Sequence, residues 1–239
     1  MNRSDMVVII GGSSGMGLAV ARRCLAGGAS VVIAGRSQDR LDAAIAEFEC
    51  QDRLTAIQAD IGNRDHVARL FERVGPLRHL VVTAADLPYG AVVSLTEEDM
   101  LRAVCSKVLG PLFAAQQAAE RISAGSITFT SGIAAYRPAP GGTLSAVVNG
   151  ALESMVRALA LELAPVRVNA VSPGWVDTPI WDQLTTPEAK QAKLADMAAR
   201  LPGRRIGRPE DIASAIGFLM EDDFVTGTVL HAEGAQLLL

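Results

Sequence analysis

The sequence predicts a single doubly wound α/β domain built on a parallel sheet, and three observations carry that prediction. Short, continuously apolar runs alternate with helix-length segments along the whole chain, as expected for strands covered on both faces. A glycine-rich turn follows the first apolar run and precedes the first helical pattern. The 239 residues, 49% of them hydrophobic, suffice for one large core and are marginal for two domains.

In chain order, strands are expected at 7–10, 31–34, 54–58, 80–83, 126–130, 166–171 and 228–231. Helices fill the gaps at 17–26, 40–48, 64–74, 97–122, 144–163 and 209–220. Thr96 followed by Glu97, Glu98 and Asp99 starts the fourth helix, with acids at its positive end. Pro165 stops the fifth. Strand–helix alternation of this kind implies right-handed crossovers. The least regular stretch is 173–208, where Pro173, Pro179, Pro187 and Pro202 surround a helical piece at 187–201. It reads equally as a mobile insertion over a site and as a plain surface connection. With no repeat, linker or boundary, residues 1–239 are expected to form one domain.

Composition narrows the function. The 22 basic and 26 acidic residues give a net charge of −4 with no long basic run, which argues against a nucleic-acid surface. No signal-peptide pattern opens the chain and no uninterrupted apolar run approaches the ~18 residues of a membrane span, so a cytoplasmic protein is expected. Cys24, Cys50 and Cys105 are too few and scattered for a disulfide framework or zinc cluster and read as reduced, structural thiols. His66, His79 and His231 lack ligand spacing, so no metal site is expected.

The chemistry begins at Gly11–Gly12–Ser13–Ser14–Gly15–Met16–Gly17. Glycines permit a tight turn and let the backbone approach an anion, and the helix that follows offers unpaired N–H groups to a pyrophosphate. Where the second strand ends, an NAD site would place an acid for the ribose 2′-hydroxyl. This chain has Gly35 and Arg36 instead, and a guanidinium suits a 2′-phosphate. NADP(H) is therefore favoured, with NAD(H) as the second choice. Asp60, after the third strand, is placed to accept a bond from an adenine amine.

Together these residues resemble the short-chain dehydrogenase/reductase family over nearly the whole chain. Gly11–x3–Gly15–x–Gly17 matches its nucleotide loop, with Ile10 in place of the usual Thr, and Asp60–Ile61 resembles its adenine-contacting pair. Ser131 follows the fifth strand where the family places its catalytic Ser. The segment from Arg167 to Gly174, Arg-Val-Asn-Ala-Val-Ser-Pro-Gly, resembles the approach to the nicotinamide pocket through Pro173 and Gly174. Val176 and Thr178 match positions that hold the carboxamide. Thr226–Gly227 and Glu233–Gly234 resemble the C-terminal signature. The resemblance implies a Rossmann-like, seven-stranded parallel sheet, a small-molecule substrate, and a homodimer or homotetramer.

The resemblance also implies a Ser, Tyr, Lys and Asn site, and here the chain departs. Ser145 stands at the Tyr position and Asn149 at the Lys position. No lysine occurs between Lys107 and Lys190, so a register shift does not restore the pair. Lys107 falls where the family has its Asn, and the usual Asn-Asn-Ala-Gly becomes Thr83–Ala84–Ala85–Asp86, with Ala84 in the cofactor wall. One reading is that Lys and Asn have exchanged helices, which makes Ser131, Lys107, Ser145 and Asn149 the candidate catalytic set. The bland reading of Lys107 is a surface or ion-paired lysine. Tyr136 could supply the absent phenol or merely line a loop or subunit contact. Asp86 is an acid/base candidate or a turn cap, and Trp175 and Trp181 either wall a pocket or pack the irregular segment.

Three functions follow. The favoured one is an NADP(H)-dependent oxidoreductase transferring hydride to or from a carbonyl or alcohol. The alternative is a non-catalytic NAD(P)-binding sensor or assembly protein, supported by the missing Tyr and Lys. The third is a non-redox enzyme, a dehydratase or isomerase, on the same scaffold.

Overall fold

The computed structural model describes residues 5–49, 51–184 and 186–239. The strands are β1 (Met6–Ile10), β2 (Ser30–Gly35), β3 (Leu54–Gln58), β4 (His79–Val82), β5 (Ser126–Thr130), β6 (Arg167–Pro173) and β7 (Val229–Ala232). They form one seven-stranded sheet in the order β3-β2-β1-β4-β5-β6-β7, with every pair parallel. The chain reverses its direction of travel across the sheet between β1 and β4, and such a switch point opens a crevice at the strands' C-terminal ends.

Two helical layers cover the sheet because the strands are apolar on both faces. Val7, Val8, Ile9 and Ile10 of β1 are each at most 1% exposed. Val8 and Ile10 join one core with helices α3 (Arg64–Glu72), α5 (Gly110–Ala119) and α6 (Thr143–Glu162). Val7 and Ile9 join the other with α1 (Gly15–Ala26), α2 (Gln38–Ala46) and α9 (Pro209–Glu221). Helix α6 is long and apolar enough to span a bilayer by length and composition alone, but Val148, Leu152 and Val156 bury one of its faces in the protein.

The expected helix 97–122 is not one continuous α-helix. It is α4 (Glu97–Val104), a π turn at Cys105–Leu109, and α5. Pro111 has no N–H for an ordinary helical bond, and Gly110 lies so close to β3's exit that a Cβ there would sit 2.5 Å from the Ile61 carbonyl oxygen. The wider turn adjusts the winding just where Lys107 leaves the helix.

The segment 173–208 contains α7 (Trp181–Leu184) and α8 (Pro187–Arg200), tied down by a bridge between Val176 and Gly207. Of α8's residues only Met197 is buried, and Lys190 anchors the helix to Asp177 and Asp182. Cys24 is buried, which pushes its thiol up to about 12. Cys105 is half-buried, and Cys50 lies outside the described residues.

Candidate active site

An elongated groove of about 1300 Å³ opens over the C-terminal ends of β1, β2 and β4. Gly11, Ser13, Ser14, Gly15, Met16 and Gly17 line it, joined by Arg36, Asp60, Ile61, Ala84 and Thr178. Its floor is backbone that tolerates no side chain. A Cβ on Gly17 would lie 2.2 Å from the Gly11 carbonyl oxygen, and one on Gly11 would lie 2.5 Å from the Ala84 nitrogen. Gly11 and Gly15 also have φ of +98° and +52°, in the left-handed region. Helix α1 begins at Ser14 with no side-chain cap and no acid in its first turn. Its amide groups and positive end are therefore available to an anion, and the cradle fits a dinucleotide pyrophosphate.

At the other end of the groove, Arg36 and Arg102 converge on Asp86. Arg36 Nη1 lies 2.6 Å from one carboxylate oxygen and Arg102 Nη2 2.7 Å from the other. Burial pushes the Asp86 carboxyl up, but its bonds to and charge attraction from Arg102 and Arg36 outweigh this and hold it below its ordinary value. Asp60 accepts from the Gly62 amide at 2.9 Å, an Asx turn that fixes the carboxylate at the wall.

Pro173, Gly174 and Val176 are not among the residues that line the groove. Val176 is buried in its bridge with Gly207. A Cβ on Gly174 would lie 2.7 Å from Gln236 Oε1, the oxygen that accepts the Trp175 amide. These residues shape the turn that carries Thr178, Pro179 and Ile180 to the groove. Trp181 donates its indole N–H to the Val176 carbonyl at 2.7 Å and so packs the same turn.

The candidate catalytic residues gather beyond the groove, at the exit of β5. The π turn sends Lys107 inward, where its Nζ donates to the carbonyls of Thr130 and, at 3.3 Å, Ser131. Burial pushes the Lys107 ammonium down to about 8 against the pull of Glu153. Asn149 lies over Gly132, where a Cβ would be 2.9 Å from its Nδ2. Asn149 Oδ1 and Ser145 Oγ are buried and make no hydrogen bond among the described residues. Lys107, Ser131, Ser145 and Asn149 are each at most 6% exposed, and none of them lines the groove as it stands.

Glu153 was not anticipated. It is 5% exposed and accepts from Ser131 Oγ at 2.6 Å and from the Tyr136 hydroxyl at 2.5 Å. Lost hydration at the phenol and the bond to Glu153 push Tyr136 up to about 12. The signal was periodicity: Ser145, Asn149 and Glu153 fall at i, i+4 and i+8, one face of α6. Polar groups repeating at that interval inside an apolar helix mark a face turned towards something polar.

A glycine turn at the switch point of a parallel sheet, beside a buried cation–hydroxyl cluster, defines a Rossmann-like dinucleotide-groove protein. Comparison makes this specific. The family model described as Enoyl-(Acyl carrier protein) reductase matches residues 11–234. A short-chain dehydrogenase/reductase of Stachybotrys chlorohalonatus is 35% identical, over 99% of this chain and 98% of its own. The solved MalC Reductase/Diels-Alderase from Malbranchea aurantiaca superposes with a TM-score of 0.91 at 31% identity, covering 99% of this chain and 98% of its own. A small-chain dehydrogenase solved in complex with NADPH gives a TM-score of 0.85 at 29% identity, over 98% of this chain and 99% of its own. The chain belongs to the short-chain dehydrogenase/reductase family, whose oxidoreductases use nicotinamide cofactors.

Proposed function

We propose that this protein is an NADP(H)-dependent oxidoreductase that moves hydride to or from a carbonyl or alcohol substrate. It does so as a divergent family member, with Ser145 and Asn149 at the Tyr-x-x-x-Lys positions and its cation supplied by Lys107. The observation that carries the reading is adjacency: Ser106 lines the groove, and Lys107 beside it in the π turn points inward to bond the Ser131 carbonyl. A bound nicotinamide supplies the hydride acceptor or donor.

The chain's own residues do the rest. The turn from Gly11 to Gly17 would hold the pyrophosphate. Arg36 would exchange Asp86 for a 2′-phosphate, and Asp60, Ile61 and Ala84 would line the adenine end of the cofactor. Thr178, positioned by Pro173, Gly174 and Val176, would meet the carboxamide. Lys107 fixes the backbone at the end of β5 and would supply positive charge to the reacting oxygen, and Ser131 Oγ would be the hydroxyl that bonds it. Ser145 Oγ and Asn149 Oδ1, buried without partners among the described residues, have hydrogen-bonding capacity left for substrate, ribose or an ordered water. One domain spanning 1–239 and assembly as a homodimer or homotetramer complete the reading.

A second reading, a non-catalytic NAD(P)-binding sensor or assembly protein, is favoured by the burial of the catalytic candidates away from the groove. Turnover separates the two. Wild-type protein with NADPH and a panel of ketones and aldehydes, and with NADP+ and secondary alcohols, is expected to change absorbance at the nicotinamide band. Ser131→Ala and Lys107→Met are expected to lose that change. Tight NADPH binding with no hydride transfer to any panel member would favour the sensor.

A further inference from the structure

The mechanism above leaves Glu153 without a task, yet it is a carboxylate buried near the middle of an apolar helix. Its two oxygens are divided between two hydroxyls. Ser131 donates to Oε1 at 2.6 Å and Tyr136 donates to Oε2 at 2.5 Å. A serine has one proton to give, and this one points at the carboxylate. Ser131 Oγ therefore turns its lone pairs to the site and is set to accept a proton there. Tyr136, at the far side of Glu153, is 44% exposed. Hydroxyl, carboxylate and phenol form one unbroken chain from the buried end of β5 to water.

We propose that this chain is a proton exit and that it suits the site to oxidising secondary alcohols. The inference rests on the oxidoreductase reading above. The alcohol O–H bond breaks and its proton passes to Ser131 Oγ, while Ser131's own proton passes to Glu153 Oε1. The carbinol C–H electron pair leaves as hydride to the oxidised nicotinamide, and the C=O bond forms. A half-turn of the Glu153 carboxyl hands its proton to the Tyr136 oxygen, whose own proton goes to water. The sum is alcohol plus oxidised cofactor giving carbonyl, reduced cofactor and one proton. Glu153 touches no substrate and acts through Ser131, so it is a positioning and proton-accepting residue.

Charged and polar groups from several elements surround Glu153 and its two hydroxyl partners. Lys107 faces it from the π turn, and its attraction acts on the same buried pair. Arg157, one turn further along α6, acts on the Tyr136 hydroxyl. From β7 the His231 ring meets Tyr136 edge-on, with centroids 4.7 Å apart. Arg137 beside it is bonded to the Gln236 carbonyl at 2.8 Å.

Two experiments test the relay. In NADP+-dependent oxidation of cyclohexanol and 1-phenylethanol, Glu153→Gln is expected to lower kcat about 100-fold, with KM and NADPH binding little changed. Its kcat should lose the rise with pH on the acid limb, and Glu153→Asp should restore part of both. Tyr136→Phe should lower kcat about tenfold by closing the exit. An unchanged kcat–pH profile in Glu153→Gln overturns the relay. The second experiment needs no turnover: difference infrared titration of the protein without cofactor. A titrating carboxyl band that is absent in Glu153→Gln, shifted in Ser131→Ala and slower to exchange with D2O in Tyr136→Phe is expected. A band indifferent to Ser131→Ala and Tyr136→Phe overturns the relay whatever the activity. Failure of wild-type protein to bind NADPH, with the infrared result intact, would instead sink the oxidoreductase reading, so the two failures are distinguishable.

Discussion

The phosphate turn and the cluster at the end of β5 lie along the same edge of one sheet and are built by opposite means. The turn is seven contiguous residues whose working groups are backbone amides, and its glycines are required by close neighbours at Gly11, Gly12 and Gly17 and by positive φ at Gly11 and Gly15. The cluster is side chains from separate segments: Lys107 in a π turn, Ser131 and Tyr136 after β5, Asn149 and Glu153 on α6. Its geometry depends on how two helices are rotated. A backbone site announces itself in a short stretch of sequence, whereas a side-chain site appears only when the faces of distant elements are known.

The sharpest way to break this contrast is at the turn. Gly17→Ala places a Cβ 2.2 Å from the Gly11 carbonyl oxygen, a clash with backbone that cannot move aside cheaply. NADPH binding should be lost, with a destabilisation of about 1–3 kcal/mol visible in thermal unfolding. Retained binding would mean that the turn is not the cradle.

At the cluster, the corresponding test is pH. The Lys107 ammonium has its pKa lowered from 10.5 to about 8 by burial. The unfolded chain therefore binds more protons than the folded one between about pH 8 and 10.5, and stability rises with pH across that window. Below about pH 8 the buried cation opposes folding, by on the order of 3 kcal/mol. Urea titrations of wild type and Lys107→Met should show wild type gaining relative to the variant from pH 8 upward. Parallel curves would place Lys107 in water. Acid offers a control at the opposite end of the strands, where burial lowers the His79 imidazole from 6.5 to about 4. The folded state takes up fewer protons there, so stability should fall as pH drops from 6.5 to 4, and His79→Gln should flatten that fall.

A smaller effect is expected where the groove is closed by charge. Asp86 holds Arg36 at 2.6 Å, in competition with any 2′-phosphate. Arg36→Ala should weaken NADPH about tenfold more than NADH, and Asp86→Asn should tighten NADPH by freeing the guanidinium. Equal changes for both cofactors would remove Arg36 from cofactor selection.

The smallest effect belongs to Ser145. Its Oγ has no hydrogen-bond partner among the described residues, so Ser145→Ala should shift stability by less than about 1 kcal/mol, towards the more stable side. A larger loss would show that Ser145 has a partner in solution, such as an ordered water.

Much of the fold was legible because each strand is a short apolar run bounded by turn residues, and the glycine turn fixed where the sheet opens. The long helix was misread as continuous because apolar periodicity carries across a π turn, and only Pro111 and Gly110 hinted at the break. Lys107 and Ser131 were singled out by position, but not their mutual contact, since 24 residues separate them. Glu153 was overlooked because a lone acid in a helix usually faces water, and its place on the Ser145–Asn149 face matters only once β5 is known to lie beneath it. The motif at Pro173, Gly174 and Val176 is legible in the sequence, but their packing against Gln236 and Gly207, which supports the turn bearing Thr178, depends on segments distant in sequence.

The central claim is that the groove from Gly11 to Arg36 and Thr178 is a working NADP(H) site. Isothermal titration of the purified protein with NADPH and, separately, NADH tests it most directly, with Arg36→Ala measured alongside. Saturable NADPH binding, weaker NADH binding and loss of the difference between them in Arg36→Ala are expected. No heat with either cofactor would contradict that claim and leave the groove a relic of the fold.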